Sequence, residues 1–131
     1  MASKLPLLAL FSFLMLLLSP KSGAIFLPGG LGSVHDVDDK TQNLADQVKG
    51  QLMDKLIFPG IVNLGDFKVI SYRKQVVAGI NYFMKVKIGG QEYIHIRVYE
   101  PLSYMNAEPQ LHGIQTDVTE KDPIEYFSPN K

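Results

Sequence analysis

Leu44, Val48, Leu52 and Leu56 recur every four residues, with Ala45 beside them, while Asp46, Lys49 and Lys55 fall off that line. This spacing gathers the apolar side chains on one stripe of a helix, predicted from about Thr41 to Leu56 and read as core packing. Asp36, Asp38 and Asp39 cluster just ahead of it, where the positive end of the helix dipole favours carboxylates. Phe58-Pro59-Gly60 closes the helix, because proline cannot continue it and glycine permits a reversal.

Downstream the period changes from four to two. Phe67 to Lys74 is rich in β-formers, and in Tyr82 to Ile88 the residues Met84, Val86 and Ile88 alternate with Lys85 and Lys87. Gly89-Gly90 makes a tight turn into Gln91 to Tyr99, where Tyr93, His95, Arg97 and Tyr99 alternate with Ile94, Ile96 and Val98. One wet and one dry face predict an antiparallel sheet packed on one side, its dry face against the helix stripe. A polar loop from Ser103 to Pro109 leads to a last strand around Gln110 to Val118, and residues near Leu31 to Val34 are read as a short edge strand. The expected fold is α+β, one helix packed across a four- to five-stranded antiparallel sheet.

Gln75-Val76-Val77-Ala78-Gly79 lies between two of these strands. Periodicity leaves two readings of it: one long buried strand with a bulge at Ala78-Gly79, or a hairpin turning there. A turn would present Val76 and Val77 to water, where connections are normally polar. Exposed valines gain nothing at a tip unless a partner covers them.

The first two dozen residues are set apart from this pattern. Met1 to Lys4 carries one basic residue, Leu5 to Leu18 is uncharged and dominated by Leu, Phe and Ala, and Ser22-Gly23-Ala24 supplies small residues. That order is the order of a secretory signal peptide, with cleavage expected after Ala24. The rival reading is a membrane anchor, but the uncharged stretch from Leu5 to Pro20 is 16 residues, against the ~20 a spanning helix needs. Residues 1–24 are thus expected to be removed and residues 25–131 to form a single domain, secreted, or cytoplasmic if the leader does not function. Ile25-Phe26-Leu27-Pro28-Gly29-Gly30-Leu31 would then begin the mature chain, either as a frayed end or as an apolar arm that orders against a partner.

The mature chain can bury roughly 65% of its unfolded surface, enough for one core. With no cysteine in the sequence, it has no disulfide framework despite the secretory route. Loss of Lys4 and Lys21 leaves 11 basic against 13 acidic residues, a net charge of −2. Such a balance argues against a nucleic-acid partner, and no membrane association is expected once the leader is gone. No Asn-X-Ser/Thr acceptor for N-glycosylation occurs. His35, His95 and His112 are far apart and in no metal-ligand spacing, and His95 is read as a solvated sheet-face residue. The serines lack a nucleophile elbow, and Gly29-Gly30-Leu31-Gly32 has neither the strand nor the Lys-Ser/Thr of a phosphate loop. Neither an enzyme nor a cofactor or metal site is expected.

Gln75-Val76-Val77-Ala78-Gly79 followed by Asn81-Tyr82-Phe83 resembles the first inhibitory hairpin of the cystatin superfamily, inhibitors of papain-like cysteine proteases. Other segments narrow the resemblance to the stefins, the cystatin A and B group. Pro28-Gly29-Gly30-Leu31 resembles their amino-terminal trunk, Thr41 to Val48 the start of their helix, and His95-Ile96-Arg97-Val98-Tyr99 with Leu102 the approach to their second hairpin. Asp122-Pro123-Ile124-Glu125-Tyr126-Phe127 is similar to their carboxyl end. The lack of cysteine fits stefins rather than the disulfide-bearing secreted cystatins, whereas stefins are usually cytosolic and lack a leader. Ile61 to Asp66 is longer than the stefin connection by a few residues and has no assigned role.

The resemblance implies a cystatin-like fold and a reversible, tight-binding inhibitor of papain-like (cathepsin-type) proteases. Leu27, Pro28 and Gly29 of the trunk, Gln75, Val76, Val77, Ala78 and Gly79 of the first hairpin, and Leu102 and Ser103 of the second would form one apolar wedge. Stefins commonly have Leu-Pro where this chain has Leu102-Ser103; without the stiffening proline, weaker help is expected from that loop. The competing reading is a secreted module that keeps the scaffold without inhibiting proteases, since a scaffold does not fix function. A monomer is expected, with a domain-swapped dimer as the alternative.

Overall fold

The computed structural model describes residues 30–56 and 64–130. Helix α1 spans Asp39–Leu56 and buries Leu44, Ala45, Val48, Leu52 and Leu56, the predicted stripe, together with Thr41. It begins two residues earlier than expected because Asp38 caps it. Asp38 Oδ1 accepts the Thr41 N–H at 2.8 Å, and Thr41 Oγ1 accepts the Asp38 N–H at 3.1 Å. This is a reciprocal cap with threonine in the place usually taken by Glu or Gln. These bonds, first from the Thr41 backbone and then from Tyr72, hold the Asp38 carboxyl below its ordinary range. The expected stop at Phe58-Pro59-Gly60 and the first half of the loop after it lie outside the described residues.

Five strands follow the chain order in one antiparallel meander: β1 (His35–Asp36), β2 (Lys68–Val77), β3 (Gly79–Gly89), β4 (Glu92–Glu100) and β5 (Gln110–Val118). The edge strand is therefore His35–Asp36 rather than Leu31 to Val34; Leu31 instead forms an isolated bridge to Gln75. The helix stripe meets Met84, Val86, Ile94, Ile96 and Val98, each no more than 1% exposed. Polar side chains pin α1 to the sheet. Tyr72 donates its hydroxyl to Asp38 Oδ2 at 2.8 Å, Gln42 accepts the Val69 N–H at 2.9 Å, and Gln51 accepts the Leu111 N–H at 3.0 Å.

The face expected to be wet is covered. Residues 119–130 cross it, and Ile124 and Phe127 close over Phe83 with Leu31 packed alongside. The cations of that face reach the backbone of this covering segment. Arg73 Nη1 donates to the Ile124 carbonyl at 2.7 Å and Arg97 Nη1 to the Phe127 carbonyl at 2.7 Å. Lys85 Nζ donates likewise to the Glu120 carbonyl. Arg97 also lies between two rings, 5.1 Å from the centroid of Phe83 and 5.3 Å from that of Tyr126. His95 is accordingly not solvated but 1% exposed, with Nδ1 3.4 Å from Gln115 Oε1. Burial pushes its pKa below the ordinary imidazole value. Asn130 ends the segment against β5, accepting the Ile114 N–H at 2.9 Å and donating its amide to the Ile114 carbonyl at 2.8 Å.

Candidate functional site: one end of the sheet

The chain does turn within the apolar pentapeptide. Gln75 pairs with Asn81, Val76 with Ile80 and Val77 with Gly79, which leaves Ala78 alone at the tip of the β2–β3 hairpin. Gly79 makes the turn possible. Its φ is +117°, and a Cβ there would lie 2.6 Å from the Glu100 carbonyl oxygen and 2.8 Å from the Tyr99 ring. Only glycine meets both the conformation and the close approach.

Beneath the tip is a polar footing. Asn81 donates its amide to Gln75 Oε1 at 2.8 Å, and both side chains are buried. Tyr99 donates its hydroxyl to the Ala78 carbonyl and stacks on His112 with centroids 5.3 Å apart. The turn is thus held by its own strands and by β4, which limits the freedom it could lose on binding. The five residues of the motif take different places: Gln75 and Gly79 are buried in the base, Val76 is half-buried, and Val77 and Ala78 are exposed. Asn81 and Tyr99 complete the footing; as site supports neither was identified from sequence, since their contacts depend on the strand register.

The second loop lies beside the first. Gly79, Ile80, Glu100, Pro101, Leu102 and Ser103 line one open groove flanked by Lys40 and Leu44 of α1. Ser103–Met105 form a 3₁₀ turn in which the Met105 N–H donates to the Leu102 carbonyl at 3.0 Å. Asn106 follows in the left-handed region at φ 49°. Leu102 is half-buried, whereas Tyr104 is 78% and Met105 51% exposed. Tyr104 and Met105 thus add exposed apolar surface next to Leu102 and Ser103. Glu100 joins the groove to the helix: its Oε1 lies 3.2 Å from Lys40 Nζ and accepts the Tyr82 hydroxyl at 3.2 Å. Burial, first, and the Glu100 charge push the Tyr82 pKa well up, so the hydroxyl remains a donor.

Leu27, Pro28 and Gly29 of the trunk lie outside the described residues. Its base does not: Leu31 bridges to Gln75, and the Gly32 N–H donates to the Lys74 carbonyl at 2.8 Å. The base of the trunk, the first tip and the second loop therefore share one end of the sheet. Among the described residues there is no grouping of His, Cys, Asp and Glu able to hold a metal, and no helix long and apolar enough to cross a membrane. What this end offers is a rigid projecting ridge with exposed apolar groups.

Residues 29–121 match the cystatin domain, and the chain belongs to the cystatin family, whose members are protease inhibitors rather than enzymes and generally bind papain-like cysteine proteases. Cystatins of the A and B type are among its relatives. It is 39% identical over 101 residues to cystatin-A1 of Sus scrofa, covering 77% of this chain and 94% of that one. Identity to cystatin-A of Mus musculus is 40% over 101 residues, covering 77% and 99%. For cystatin-B of Homo sapiens it is 40% over 90 residues, covering 67% and 86%.

Proposed function

We propose that this protein is a reversible, tight-binding inhibitor of papain-like proteases of the cathepsin type, acting by occlusion of the active-site cleft. The observation that carries the reading is the convergence at one sheet end of the Val77-Ala78 tip, the loop of Leu102 to Met105 and the Leu31–Gln75 bridge. In the proposed complex, Leu27 and Pro28 occupy non-primed subsites and Gly29 bends the arm away from the catalytic cysteine. Val76, Val77 and Ala78 enter the primed side, with Leu102 and Ser103 beside them. Gln75 and Gly79 shape the tip from below.

Affinity on this reading comes from burial of apolar area at a pre-formed ridge, at roughly 25 cal/mol per Å² removed from water. No peptide bond is offered in substrate register, so the inhibitor leaves intact. We further propose that residues 1–24 are a signal peptide and that residues 25–131 act outside the cell, which the order of basic, apolar and small residues supports.

Titration of papain and of a lysosomal cathepsin with residues 25–131 tests the reading. Loss of activity at near-stoichiometric inhibitor, regained on dilution, is the expected result. Full protease activity at micromolar protein with an intact fold would refute it.

A further inference from the structure

Arg73 stands where three parts of the molecule meet. It sits on β2 opposite Phe83 of β3, on the sheet face that residues 119–130 cover. Its guanidinium forks: Nε donates to the Gly32 carbonyl at 2.7 Å, and Nη1 to the Ile124 carbonyl at 2.7 Å. The neighbouring cations do less. Arg97 and Lys85 secure the covering segment at Phe127 and Glu120, and among the described residues neither bonds to the trunk base.

Gly32 is otherwise attached through its own N–H to Lys74, and Leu31 through its bridge and its packing against Phe83, Ile124 and Phe127. Through its bonds to the Gly32 and Ile124 carbonyls, Arg73 joins this base to the covering segment by polar contacts. A planar guanidinium suits the task, because its donors are fixed in one fork, whereas an ammonium on a flexible stem holds two acceptors less rigidly. We infer that Arg73 is a positioning residue for the inhibitory trunk: it fixes the point from which the arm departs by clamping Gly32 to Ile124.

This inference rests on the inhibitory reading above and adds a residue outside the wedge. An arm with a loose base loses more freedom on docking than one with a fixed base. Loss of the clamp is therefore expected in the dissociation rate, where most affinity differences between related complexes lie.

A double-mutant cycle in residues 25–131 provides the test, with Arg73→Ala, Gly29→Glu and the pair measured against papain. Arg73→Ala is expected to speed dissociation about tenfold when the trunk is intact and to add nothing once Gly29→Glu has disabled it. Arg73→Lys should recover part of the loss. Amide exchange at Gly32, read by NMR without any protease, should accelerate in Arg73→Ala while the amides of α1 stay protected. Equal losses in both backgrounds, or an unchanged Gly32 rate, would overturn the inference. Failure of the unsubstituted protein to inhibit papain would instead remove the protease reading, and the Gly32 exchange alone would then decide whether Arg73 anchors the base.

Discussion

Gly79 illustrates how much one position can hold. Its left-handed backbone and the 2.6 Å approach to Glu100 leave no room for a methyl group, and strain of this kind costs about 1–3 kcal/mol before any clash is counted. Gly79→Ala is expected to lower the urea midpoint by the equivalent of about 2 kcal/mol or more and to weaken papain inhibition by displacing Val77. A variant of unchanged stability and inhibition would mean that the turn can be remade. Gly29 and Ser103 carry unequal weight in the proposed wedge. Gly29→Glu places a charged side chain where the arm must approach closely, whereas Ser103→Ala trims a hydroxyl from a loop already shaped by a 3₁₀ turn. Inhibition constants should show a large loss for Gly29→Glu and little change for Ser103→Ala; comparable losses would contradict this division.

Among the elements, α1 was legible because its period is its own: the stripe from Leu44 to Leu56 repeats within the helix. The last strand was placed by the polar loop before it, and β5 has the bounds expected, Gln110–Val118. The pentapeptide hairpin was not fixed by period, since an apolar run conceals where it turns; its resemblance to the inhibitory hairpin identified it. Least legible was the cover over the second face. Residues 119–130 have neither helical nor strand period, and cations from three strands hold them by bonds to their carbonyls. His95 was misread for the same reason. Buried beneath this cover, with Nε2 lacking a hydrogen-bond partner among the described residues, it is held below its ordinary 6.5, mainly by desolvation. The unfolded chain therefore takes up a proton first as the pH falls. The His95 contribution to stability is present above the unfolded value, about 6.5, and is lost progressively as the pH falls through the folded value. Melting temperatures should fall between about pH 7.5 and pH 5, and His95→Gln should flatten part of that slope. His112, lowered mainly by burial and then by the Arg97 charge, supplies the remainder; an unaltered slope would remove His95 from the account.

As a whole, the molecule is a sheet covered on both faces, by α1 on one and by residues 119–130 on the other, with the proposed inhibitory ridge at one end. A meander of this kind leaves an outer strand on each side, and the outward N–H and C=O groups of such a strand can accept a strand from another molecule. On β5 the place of that visitor is taken by Asn130, whose side-chain amide answers both backbone groups of Ile114 as a neighbouring peptide would. Asn130→Ala should leave the monomer folded but open to concentration-dependent association, detectable by light scattering; a variant that stays monomeric at millimolar concentration would show the amide to be dispensable. The guarded edge and the proposed inhibitory ridge lie at different places in the sheet. Loss of the Asn130 side chain would thus leave the ridge untouched while opening a sheet edge to a strand of another molecule.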